Sequence, residues 1–196
     1  MTEPGTTREQ ILGAALRLFA NKGYDHAGMD EIAKEVGVTK PAIYHYFESK
    51  EKLFVTLIEQ AHREQERVLA EIDALRLPLS QVIEELFRRG MQYLHENREW
   101  SMLLLQIQSF PGALISSLDF RAHHAVELAG LVRVLEEAAG DLRLRPGMTL
   151  LTLAEYIHWV FFAFWTRSEF LGEVPDDELV PSRLADVILF GAFEKG

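Results

Sequence analysis

Three short runs of apolar periodicity, each punctuated by a cap or a glycine, crowd the first fifty residues and leave this chain little choice of fold. Ile11, Ala15, Leu18 and Phe19 recur at helical spacing, with Thr7 placed to cap the start and Lys22-Gly23 to close the end with a cation and a helix terminator. Met29, Ile32, Ala33 and Val36 then fall at i, i+3, i+4 and i+7, and Gly37 ends that run where the chain must turn. Thr39 caps a third helix carrying Pro41 in its first turn, where a missing N–H costs little. The order is helix, turn, helix.

The third helix explains the composition of GVTKPAIYHYFESKEKLF, residues 37–54. Ile43 and Phe47 are four residues apart and point into a small core, which leaves Lys40, Ala42, Tyr44 and His45 facing elsewhere. An ammonium, a methyl, a phenol and an imidazole within two turns can anchor on phosphate and read base edges in a major groove. A fourth helix begins near Ser49, so the amides of Lys50 and Glu51 form a positive helix end suited to a phosphate.

Net charge alone argues the other way, because the chain carries −10. The deficit is unevenly spread: residues 1–55 hold seven bases against eight acids, and the rest hold thirteen against twenty-two. Five of the six lysines lie in the first part. A flexible ammonium suits a phosphate rail.

These residues resemble the TetR family of bacterial transcriptional regulators, whose signature is similar to ILGAALRLFANKGYDHAGMDEIAKEVGVTKPAIYHYFESKEKLF, residues 11–54. The resemblance implies an all-α protein of about nine helices, with a helix-turn-helix DNA-binding domain at 1–50 and an effector-binding and dimerisation domain at 51–196. It implies DNA contact from Thr39, Lys40, Pro41, Ala42, Tyr44 and His45, with Lys50 on a phosphate. It also implies a homodimeric repressor on a double-stranded, palindromic operator. One departure stands out: Gly28 occupies the cap of the second helix where the family usually has Thr or Ser, which removes a hydroxyl that often touches phosphate.

Beyond residue 55 only helical patterning remains. A charged continuation of the fourth helix breaks at Leu77-Pro78, and further helices are expected over 80–95, 100–110, 117–139, 148–170 and 182–194. The stretch 148–165, MTLLTLAEYIHWVFFAFW, is near the minimum spanning length but contains Glu155 and His158, and we read it as a buried helix rather than a membrane span. Its aromatics occur on every side, which calls for burial by the chain and by a second copy. The last helix adds a stripe of Leu184, Val187, Ile188, Gly191 and Ala192, so these residues and Trp165 are the expected dimer interface, matching the four-helix bundle the resemblance implies.

Catalysis has no sequence support. Among His26, His45, His62, His95, His123, His124 and His158 no two share i, i+4 spacing with a glutamate, and the adjacent pair at 123 and 124 points about 100° apart on a helix. No metal, cofactor or enzyme activity is expected. The chain has no cysteine and opens on a polar segment unlike a signal peptide, in keeping with a cytoplasmic protein.

A small apolar effector could be lined by Phe87, Met91, Leu94, Trp100, Leu103, Leu104, Ile107, Phe110, Phe120, Trp159 and Phe162. Arg88, Arg89, Arg121 and Arg133 would border it, and an elongated apolar molecule with an anionic head, such as a long-chain fatty acyl-CoA, fits both features. Alternatively the arginines pair with Glu84, Glu85, Glu127 and Glu136, or the helical body meets a partner protein and holds no ligand.

Overall fold

The computed structural model describes residues 6–109, 120–140, 144–171 and 180–192. Among them are nine helices: α1 (Thr7–Lys22), α2 (Met29–Val36), α3 (Lys40–Tyr46), α4 (Lys50–Ala74), α5 (Leu79–Glu96), α6 (Arg98–Ser109), α7 (Phe120–Ala139), α8 (Leu150–Leu171) and α9 (Val180–Ala192). The fold is all-α, with an N-terminal helix-turn-helix followed by a helical body. No helix among the described residues is long and apolar enough to cross a membrane.

By compactness the chain forms two units, Met1–Arg63 with Asn97–Phe120, and Glu64–Glu96 with Arg121–Gly196. In the first, Ile11, Leu12, Ala15 and Phe19 of α1 meet Ile32 of α2, Ile43 of α3, Leu53, Phe54 and Leu57 of α4, and Leu103 and Ile107 of α6. The Phe54 ring meets those of Phe19 and Tyr24 edge to face, with centroids 5.2 Å and 4.9 Å away. Phe19 and Phe54, both fully buried, each contribute about 1.5–3 kcal/mol. Helix α6 also satisfies a carbonyl that α1 leaves open at its C-terminus: Gln106 Nε2 donates to Ala20 O at 2.9 Å.

The second unit gathers Leu69 and Ile72 of α4, Val82, Ile83 and Phe87 of α5, Leu131 and Leu135 of α7, Leu153 and Ile157 of α8, and Ile188 of α9. Helix α5 packs against both α8 and α9. At Gly90 that approach is close enough for an added Cβ to come within 2.6 Å of the Phe161 ring.

Caps set the boundaries. Thr6, not Thr7, opens α1, because only from Thr6 does Glu9 occupy the third helical position, where its carboxylate accepts the Thr6 N–H at 2.8 Å while Thr6 Oγ1 accepts the Glu9 N–H. Helix α8 starts at Leu150, since Thr149 Oγ1 accepts the Thr152 N–H at 3.0 Å. The turn before it closes from Met148 N to Arg145 O with Gly147 at φ 84°.

Candidate nucleic-acid interface

The helix-turn-helix is assembled by local chemistry. Gly37 adopts the left-handed conformation, φ 77°, and lets the chain leave α2 with Val38 N donating to Ala33 O at 2.9 Å. Thr39 then caps α3, its Oγ1 accepting the Ala42 N–H, with Pro41 in the first turn. Gly28 caps α2 without a side chain, but its N–H donates to the Glu31 carboxylate, so half of a capping box survives the missing hydroxyl.

Ile43 is completely buried and Phe47 nearly so, which anchors α3 by one face. Thr39, Lys40, Pro41, Tyr44 and His45 are exposed and Ala42 is half-buried. Tyr46, which sequence reasoning passed over, is exposed as well, with its ring 5.5 Å from that of His45. Its place one residue after His45 on a seven-residue helix was the available signal.

One cation of α3 and two of α1 are already engaged by α2. Lys40 Nζ lies 2.8 Å from Asp30 Oδ2, and that hydrogen bond raises its pKa above the ordinary lysine value. Lys22 pairs with Glu31 at 2.7 Å, and this contact leads in holding the Glu31 carboxyl below the usual range. Arg17 pairs with Glu35. All three acids belong to α2. Exposed pairs of this kind are worth about 0–1 kcal/mol, so phosphate can exchange for them at small cost. Lys50 is placed differently: its ammonium sits 4.5 Å from the centroid of the Tyr24 ring and donates to Asp25 O at 3.3 Å, and burial pushes its pKa down. Ser49 caps α4, its Oγ accepting the Lys52 N–H at 3.1 Å.

The expected effector wall is divided. Trp100, Leu104 and Ile107 belong with Leu103 to the core of the first unit, whereas Phe87 is buried and Met91 partly buried in the second. Leu94 and Phe162 are half-buried, and Trp159 is 58% exposed. Phe110 and the side chains of Phe120 and Arg121 lie outside the described residues. Arg88 and Arg89 both hold Glu85, at 2.7 Å from each Nε, and Arg89 also reaches Glu71 at 2.8 Å. For these two arginines the pairing alternative holds, with Glu71 as a partner that spacing did not suggest.

The outward face of α8 and α9 is rotated from the expected interface. Trp165 and Ile188 are buried within the chain, at 4% and 7% exposure. Leu184 is half-buried, and Val187 and Phe190 are each 70% exposed. Tyr156 and Trp159 supply large exposed rings on α8. A helix turns about 100° per residue, so the side of α9 that exposes Val187 is not the side that buries Ile188 within the chain. The side chains at 191 and 192 lie outside the described residues.

Residues 11–57 match the family model described as bacterial regulatory proteins, tetR family. The HTH-type transcriptional repressor AcnR of Corynebacterium efficiens is 29% identical over 89% of this chain and 91% of its own length. The HTH-type transcriptional activator FasR of Mycolicibacterium smegmatis is 45% identical, but over 27% of this chain and 24% of its own. Among solved structures, the transcriptional regulator FadR of Bacillus subtilis in complex with stearoyl-CoA superposes with a TM-score of 0.75 at 19% identity, over 93% of this chain and 98% of that one.

Proposed function

Since the chain belongs to the TetR family of bacterial transcriptional regulators, we propose that it acts as a homodimeric repressor on a palindromic operator and leaves it when a small apolar effector enters the helical body. The observation that carries the DNA half is the outward array on α3, with Thr39, Lys40, Pro41, Tyr44 and His45 exposed beside half-buried Ala42, while Ile43 locks the helix from behind. Two copies would set their recognition helices about 34–36 Å apart in successive major grooves. Residues 1–50 carry the DNA contacts and 51–196 the effector and dimer functions. The exposed rings and aliphatics of α8 and α9 support pairing through those helices.

For the effector, a long-chain acyl-CoA is the candidate, on the apolar side chains of α5 and α8 and on the stearoyl-CoA complex of FadR. An anionic head group must compete with Glu85 and Glu71 for Arg88 and Arg89. Most of the affinity therefore comes from the chain, at about 0.8 kcal/mol per buried CH₂. Adding saturated acyl-CoAs from octanoyl to octadecanoyl to a preformed DNA complex tests this: release should strengthen with length until the site is full. Equal failure of every length, beside release by a neutral aromatic compound, rejects the acyl chain and leaves the DNA assignment standing.

A further inference from the structure

Helix α7 brings His124 and Glu127 onto one face, three residues apart, and α8 brings His158 to meet them. One donor atom from each lies within 4.8 Å of the other two, the two imidazole rings meet edge to face at 4.8 Å, and His124 Nδ1 is 3.8 Å from Glu127 Oε2. All three side chains are half-buried, so the group is reachable by an ion yet shielded from bulk water. Spacing within one helix does not reveal this set, because its donors come from two helices.

We propose that His124, Glu127 and His158 bind one divalent first-row transition ion, with Zn(II) as the working probe. Two imidazoles and a carboxylate form a borderline, nitrogen-rich donor set that suits Zn(II), Co(II), Ni(II) or Fe(II), and the absence of any cysteine leaves no thiolate to favour Cu(I). Three protein ligands leave at least one coordination position for water or for an anionic group from outside. Tetrahedral donors about 2.0–2.1 Å from an ion stand roughly 3.3 Å apart. Closing the present spread of up to 4.8 Å calls for side-chain rotation as the ion binds. The ion would clip α7 to α8. The donor set itself is defined without reference to the acyl effector or to the DNA contacts.

The test uses the full chain without an affinity tag, stripped by a chelator and titrated with Zn(II) against a chromophoric competitor, with Co(II) absorption as a second readout. One ion per chain is expected. His124→Ala and His158→Ala should each weaken binding by at least about 100-fold, the upper end of what losing a mere outer partner costs, and Glu127→Gln should weaken it too. His26→Ala and His95→Ala, which remove histidines outside the cluster, should leave affinity unchanged. Because His124 is 40% exposed, its truncation remains readable if His158→Ala fails to fold. One-to-one binding that survives both ligand variants, binding lost equally in the controls, or no cobalt spectrum at equimolar ion would each overturn the assignment.

Discussion

The Lys40 ammonium sits 2.8 Å from the Asp30 carboxylate, so a cation of the recognition helix is neutralised by its own scaffold before any nucleic acid arrives. DNA binding then includes an exchange of carboxylate for phosphate. Asp30→Asn should tighten binding and steepen the dependence of log K on log salt by up to about one unit. Its cost to stability should stay within about 1 kcal/mol, because the pair is exposed and the charge aids only the first turn of α2. Fluorescence anisotropy across a salt series measures both. Unchanged affinity and slope would remove Lys40 from the phosphate contacts.

Lys50 has two expected roles that one variant separates. Its contact with Tyr24 makes it part of the turn between α1 and α2, so Lys50→Ala should lower stability by about 0.5–1 kcal/mol. As a phosphate ligand it should also flatten the salt slope by about one unit for all sequences alike. A lower melting temperature with an unaltered slope would assign Lys50 to the scaffold alone.

Adjacent substitutions on α9 should part company. Val187→Asp places a charge on the outward face and is expected to leave a folded monomer that has lost operator affinity, as sedimentation and gel shift would report. Ile188→Asp buries an unpaired charge and should unfold the second unit, at a cost of several kcal/mol. A Val187→Asp protein that still sediments as a dimer would place the interface elsewhere.

Acid sensitivity should come partly from Glu85. Its side chain is 16% exposed, and hydrogen bonds from Arg88 and then Arg89 hold its pKa down to about 2, against an ordinary value of 4.5. Because the folded value is the depressed one, the contribution is complete above pH 4.5 and is lost as pH falls from there toward 2. Discounted for the half-exposed Arg88, it is about 1–2 kcal/mol. Urea unfolding of the wild type and Glu85→Gln across this window should show the wild-type advantage shrinking with acid. A constant difference would mean that the pair contributes through packing.

The first three helices were legible because their ends are written in local chemistry: Gly37 must take a positive φ, and Thr39 and Pro41 suit only a helix start. Even there the cap expected at Thr7 belongs to Thr6, because Glu9 falls at the third helical position counted from it. Helical spacing located the apolar stripe of α9 but not which side of it turns inward, since Val187 and Ile188 are equally apolar and only packing on α5 tells them apart. The partners of Arg89 and the meeting of His124 with His158 depend on contacts between helices distant in sequence. No periodicity within one helix encodes them.

The hydrogen bond from Gln106 to Ala20 and the burial of Leu103 and Ile107 among α1 and α4 residues bear on how this protein can be recombined. The family match ends at 57, yet the compact unit holding the recognition helix also includes α6. A graft of 1–63 alone onto another body would arrive with the seat of α6 uncovered, an apolar patch that invites aggregation. Altering the DNA specificity of a relative by transplanting this reading head is therefore a two-segment operation. Its second segment, α6, belongs with the graft although it lies outside the helix-turn-helix.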